Sequence, residues 1–121
     1  MARTSSETLT PREAQIMEVL WNKGAATAEQ IRSELPDRPH DSTIRTILRV
    51  LKQKGYVRNS TKGKAYVYRP AVKRASAERS AVRSVLQRFF GGSTEALVMR
   101  LIEDDQISPE QIEALKKRID T

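Results

Sequence analysis

The sequence predicts a mainly α-helical chain carrying one small β-hairpin. Three observations predict it. Helix-start signals precede three apolar runs of helical period in the first half of the chain. The period falls to two in one place, between Tyr56 and Arg69. Beyond that stretch the apolar residues return to helical spacing.

Residues 1–8 show no periodicity and read as a mobile tail. The first helix is announced by Thr10 as a cap, Pro11 at the first helical position and Glu13 completing a capping box. Ile16, Val19 and Leu20, with Met17 and Trp21 beside them, form one broad apolar stripe, which Asn22-Lys23-Gly24 ends. The second helix runs from a Thr27 cap to about Leu35, with Ala28, Ile31 and Leu35 on one side. Pro36 and Pro39 punctuate the loop that follows. A third helix opens at Asp41 or Ser42, either of which can cap, and ends at Lys54-Gly55. Two short strands come next, Tyr56-Val57-Arg58 and Ala65 to Arg69, around a loop with Gly63 near its tip. Pro70 closes the second strand. Three short helices and then a basic hairpin outline a winged helix-turn-helix, assigned to residues 9–72.

Residues 73–121 read as a helical region. Val82, Val85, Leu86, Phe89 and Phe90 recur at i, i+3, i+4, i+7 and i+8, and Gly91-Gly92 ends that helix. Ser93 caps the next helix, whose apolar residues are Leu97, Val98, Leu101 and Ile102. Ser108-Pro109-Glu110-Gln111 is a capping box, and Ile107 and Ile112 stand where a hydrophobic staple needs them. Leu115 and Ile119 continue that stripe. Three short amphipathic helices cannot bury their faces alone, and a chain of 121 residues builds a limited core. A symmetric second copy is the commoner solution, so this region is expected to dimerise through these apolar residues.

Composition excludes several classes. Hydrophobic residues make up 38 % and charged residues 31 %, as in a soluble helix-rich chain. No apolar run approaches the roughly 18 residues of a membrane span. The start, MARTSSETLTPRE, lacks the apolar stretch of a signal peptide, so a cytoplasmic location is expected. The absence of cysteine removes disulfides, thiolate metal sites and thiol redox chemistry. His40, the one histidine, sits in a proline-flanked loop without partners for a nucleophilic or metal site. No enzyme, cofactor or metal is therefore expected, and Glu103-Asp104-Asp105 reads as a solvated helix end.

The charge is one-sided in one block. Net charge is +7, and from Ser42 to Ala77 there are ten Lys or Arg and no acid. Interleaved with Tyr56, Tyr66 and Tyr68, such a block suits a polyanion surface. Stepping 100° per residue along the third helix puts Ile44, Ile47, Leu48 and Leu51 together, facing the core. Ser42, Thr46, Arg49 and Gln53, flanked by Thr43 and Arg45, collect on the other side. Hydroxyls, guanidiniums and an amide without an acid are the groups that read base edges and phosphates in a major groove. In helix-turn-helix docking the N-terminal part of the recognition helix makes the base contacts. Thr43, Arg45, Thr46 and Arg49 are thus assigned to bases, and Ser42 and Gln53 to phosphate. Lys62 and Lys64 flank the glycine at the hairpin tip and would meet flanking phosphates or the minor groove. Tyr66 and Tyr68 share a strand face; one is expected to pack on the third helix while the other offers its hydroxyl to a phosphate.

With those residues in place, the sequence resembles the penicillinase-repressor family of regulators, the BlaI/MecI type. The resemblance spans roughly Leu9 to Ile119. It rests on LTPREAQIMEVLW, ATAEQI, DSTIRTILRVLKQKGYV and KAYVYRPAV, followed by FFGGSTEALVMRLIED and ISPEQIEALKKRI. It implies a homodimer on a dyad-symmetric operator, repressing by blocking polymerase. It also implies induction through a membrane sensor metalloprotease, with cleavage in the dimerisation region at Arg100-Leu101. The well-known members carry Asn-Phe there, a pattern from which this chain departs with Arg100-Leu101. The family's copper-responsive branch uses C-terminal cysteines, which this chain lacks. Two other readings stay open at this point: a ligand-responsive winged-helix regulator, and a winged-helix protein-interaction module whose basic face meets an acidic protein.

Overall fold

A computed structural model of the chain describes residues 8–120. In chain order the elements are α1 (Pro11–Lys23), α2 (Ala28–Glu34), α3 (Asp41–Gln53), β1 (Val57–Lys62), β2 (Ala65–Pro70), α4 (Arg74–Phe89), α5 (Thr94–Glu103) and α6 (Pro109–Asp120). This is the mainly α winged helix-turn-helix with helical C-terminal region that the sequence predicts. The chain divides into two compact units between Ala81 and Val82, inside α4. Most of the expected tail, residues 1–8, lies outside the described residues. Thr8 is described, and its carbonyl accepts from Lys54 Nζ at 3.4 Å.

The first unit is built on one core. Ile16, Met17 and Leu20 of α1, Ile31 of α2, and Ile44, Leu48 and Leu51 of α3 are fully buried, and Tyr56 closes the cluster. At about 1.5–3 kcal/mol for each large side chain removed from water, these contacts dominate the stability of so small a unit. Polar ends fix how the helices meet. Thr10 Oγ1 accepts from the Glu13 amide at 3.1 Å, and Glu13 Oε1 accepts from the Thr10 amide at 2.8 Å. The same carboxylate, 5 % exposed, takes Lys54 Nζ at 2.8 Å and ties the start of α1 to the end of α3. Thr27 and Gln30 form a second reciprocal box at the start of α2, at 3.2 and 2.8 Å. Trp21 Nε1 donates to the Val72 carbonyl at 2.8 Å, anchoring the chain as it leaves the hairpin.

Two local expectations are corrected. The hairpin is longer than the sequence suggests: β1 and β2 pair antiparallel from Val57↔Pro70 to Lys62↔Ala65, leaving only Gly63-Lys64 as the connection. Gly63 has φ +65°, and glycine at the first position of a two-residue loop allows a turn that matches strand twist. Polar Asn59, Ser60 and Thr61 are strand residues because they face Tyr68, Val67 and Tyr66 across the ladder. Ala26 also bridges Tyr68 in both directions, at 3.0 and 2.8 Å, which pins the wing to the entry of α2.

The second correction concerns the start of α3. Neither Asp41 nor Ser42 caps it; both lie within the helix, and His40 is the cap. His40 Nδ1 accepts from the Ser42 amide at 3.1 Å. The ring nitrogen is as many bonds from Cα as the oxygen of Asn or Asp, so it reaches the same orphan amide.

The second unit is of another kind. From Val82 to Asp120 no described residue is buried. Ser93 caps α5 by accepting from the Ala96 amide at 3.0 Å, and Ser108 and Gln111 form the expected box before α6, at 3.1 and 2.7 Å. Gly91 and Gly92, at φ +56° and +83°, end α4, and the Gly92 amide donates to the Leu86 carbonyl at 2.8 Å. Leu86, Phe90, Leu97, Val98, Leu101, Ile102 and Ile112 are half-buried. Val82, Val85, Phe89, Met99, Leu115 and Ile119 are exposed, Phe89 at 71 % and Ile119 at 81 %.

Candidate nucleic-acid interface

The interface is organised by α3, whose two sides differ in chemistry. Ile44, Leu48 and Leu51 are buried and Ile47 is half-buried, so the helix is held by its apolar side. Ser42, Thr43, Arg45, Thr46, Arg49 and Gln53 are all exposed. The structure therefore brings the six third-helix candidates together on solvent-facing turns of one helix. Upstream, Arg12 of α1 makes two hydrogen bonds to Asp37, and Arg32 Nε donates to the Pro39 carbonyl at 2.8 Å. These contacts hold the proline loop that leads into α3. The Arg12 guanidinium lowers the Asp37 pKa, first through its hydrogen bonds.

The wing supplies the second part. Lys62, Lys64 and Tyr66 are exposed, Tyr66 at 51 %, whereas Tyr68 is only 9 % exposed and belongs to the core. The shared strand face thus resolves into one packing tyrosine and one open to solvent. Between wing and α3 lies a recess of about 250 Å³, lined by Arg45, Lys64, Tyr66 and Tyr68 together with Thr27 and Glu29 of the α2 entry. Arg45 and the wing tip consequently border one concave surface.

Charge within the basic block is less uniform than the sequence suggests. Lys54 is spent on Glu13, and Arg74 pairs with Glu18 while its guanidinium lies 5.2 Å from the Trp21 ring centroid. Both acids come from α1, which a count along 42–77 does not see. The Arg74 bond lowers the Glu18 pKa. Arg45 Nε donates to Asp41 Oδ2 at 2.7 Å. That contact raises the Arg45 pKa, through the hydrogen bond first and the charge second. Arg49, Lys52, Arg58, Lys62, Lys64, Arg69 and Lys73 make no ion pair with any described residue.

Sequence reasoning passed over two of these features. Arg58 and Arg69 sit directly opposite each other in the ladder, both exposed. Like charges so placed repel, and a polyanion would relieve them. Strand alternation from the correct register would have shown the pair. Asp41, which the sequence offers as a cap, also stands four residues from Arg45, the spacing of a helical ion pair. In the second unit Met99 is an exposed apolar residue that the stripe of α5 did not include.

Comparison with known proteins places the sequence and the fold among known regulators. A family profile described as "Penicillinase repressor" matches residues 9–121. The penicillinase repressor of Bacillus licheniformis is 30 % identical over 105 residues, covering 85 % of this chain and 82 % of that protein. The methicillin resistance regulatory protein MecI of Staphylococcus aureus (strain N315) is 26 % identical over 106 residues, 86 % of each. Among solved structures, the DNA binding domain of the repressor BlaI superposes with a TM-score of 0.53 at 23 % identity, over 63 % of this chain and 93 % of that one. That last likeness carries the winged-helix fold.

Proposed function

The chain belongs to the penicillinase repressor family, one of DNA-binding transcriptional repressors and not of enzymes, and from that premise we propose that it represses as a homodimer on a dyad-symmetric operator. Residues 9–72 form the DNA-binding part and 73–121 the dimerisation part of this reading. In it α3 enters the major groove, where Thr43, Arg45, Thr46 and Arg49 meet base edges and Ser42 and Gln53 meet phosphate. The wing lies along the flanking backbone through Lys62, Lys64 and Tyr66, adding affinity without sequence information.

One observation carries the reading. A single helix is fixed by an apolar face on which Ile44, Leu48 and Leu51 are fully buried, while its exposed side offers hydroxyls, guanidiniums and an amide, beside a wing whose lysines make no ion pair with any described residue. The homodimer is supported by the second unit, where Val82, Val85, Phe89, Met99, Leu115 and Ile119 are exposed. Were induction proteolytic at Arg100–Leu101, the bond would lie inside α5, and Arg100 pairs there with Glu103 at 3.3 Å. A protease seats its substrate extended, so cleavage would require α5 to open locally first.

The test is selection of bound DNA from a random duplex pool at near-physiological salt, with the mass of the complex recorded. A two-fold symmetric motif bound by two chains is the expected result. Recovery of no motif, with binding that vanishes as salt rises, would instead make the basic face a non-specific or protein-binding surface.

A further inference from the structure

Arg45 does not reach toward solvent as a free cation. Its Nε donates to Asp41 Oδ2 at 2.7 Å, one helical turn back on the same exposed side of α3, while both side chains stay open to solvent at 59 % and 45 %. The guanidinium is planar, so holding Nε restricts the orientation of the whole fork. Nη1 and Nη2 make no hydrogen bond with any described residue. They form the outer edge of the fork, with the two parallel N–H groups that bidentate pairing with guanine O6 and N7 requires. Asp41 Oδ1 accepts no hydrogen bond from any described residue and can accept from an exocyclic amine, as a carboxylate does from cytosine N4.

From this geometry we infer that Asp41 is a specificity-determining residue of the DNA interface, positioning Arg45 for a guanine and penalising DNA that does not supply one. The inference rests on the proposed reading of α3 as a DNA-recognition helix. Two physical effects produce it. Restraining Arg45 in the free protein removes rotamer entropy that would otherwise be lost on binding, and does so for one orientation of the fork. The carboxylate also sits where phosphates and base acceptors approach, and where Arg45 has no guanine to engage its charge opposes the complex. Asp41 thus lowers general affinity for DNA while raising discrimination. It is the only acid on a helix otherwise surfaced by Ser, Thr, Lys, Arg and Gln.

A merely structural role is the competing account, because an acid in the first turn of a helix favours it electrostatically. A double-mutant cycle separates the two. Full-length wild type, Asp41→Ala, Asp41→Asn, Arg45→Ala and the Asp41→Ala/Arg45→Ala double variant are titrated against three duplexes. These are the selected motif, the same motif with its recognised G·C pairs exchanged one at a time, and random DNA. Asp41→Ala should lower discrimination at one G·C pair by roughly tenfold, while affinity for random DNA is unchanged or higher. Arg45→Ala should abolish discrimination at that same pair, and adding Asp41→Ala should then change it no further. Asp41→Asn, which keeps a hydrogen-bond acceptor without the charge, should fall between wild type and Asp41→Ala. Equal losses on motif and random DNA for Asp41→Ala, or effects of Asp41 and Arg45 that simply multiply, would overturn the inference and leave the repressor reading intact. Wild type that prefers no duplex over another would overturn both.

Discussion

The two halves of this chain solve the same problem differently. In the first unit, side chains from α1, α2, α3 and the hairpin meet in one cluster with Ile16, Met17, Leu20, Ile31, Ile44 and Leu48 fully buried. In the second, helices of equal sequence quality, capped and amphipathic, leave no described residue buried from Val82 onward. Good helix signals therefore specify helices without specifying what covers them. What differs is the hairpin: the wing and the Ala26–Tyr68 bridge close the first unit, and the described residues of the second form helices without a strand. An exposed apolar surface of this kind is where a symmetric copy gains most.

Four substitutions break or sharpen that contrast, because each should move one half and spare the other. The largest effect is expected from Leu48→Ala, which empties a fully buried site and should cost about 2–5 kcal/mol of unfolding free energy. The loss should be independent of protein concentration; a concentration-dependent loss would tie the first core to assembly. Next, Phe89→Ala should weaken self-association by about 2 kcal/mol if this ring is an anchor of the partner face. Thermal unfolding of the first unit should not change, and an unaltered mass on dilution would remove Phe89 from the interface. Arg45→Ala should then cost about 1–3 kcal/mol on the cognate duplex and little on random DNA, with mass unchanged. Equal losses on both DNAs would refute its base-reading role. The smallest effect belongs to Lys62→Ala, which should weaken all duplexes alike and reduce the salt slope by about one. Sequence-dependent loss at Lys62 would mean that the wing reads bases.

Much of this was legible in the residues. Thr10-Pro11-Glu13 and Ser108 to Gln111 announce helix starts through side chains that bond backbone only a turn away, so sequence contains both partners. The apolar face of α3 follows from spacing alone, and with it the exposed candidates. What escaped depends on distant or unusual partners. Lys54 looks available for DNA until the fold brings Glu13 to it across 41 positions. His40 does not announce itself as a cap, because cap signals rest on oxygen acceptors, although its Nδ1 accepts the Ser42 amide in the same way. The length of β1 was hidden by the polar run Asn59-Ser60-Thr61, which is strand only because Tyr66, Val67 and Tyr68 stand opposite. Asp41 and Arg45 stand four apart in the sequence, yet a capping role for one and a base-reading role for the other do not by themselves reveal that they pair.

The most direct test of the account is amide hydrogen exchange of the full-length protein across a dilution series, with native mass recorded at each concentration. Amides of α1, α2 and α3 should keep the same protection throughout. Those of α5, α6 and the end of α4 should be protected where the mass is that of two chains, and should lose protection together as it falls to one. A one-chain mass with the C-terminal amides still protected would contradict the account, since it would show that the second unit covers its own apolar faces without a partner.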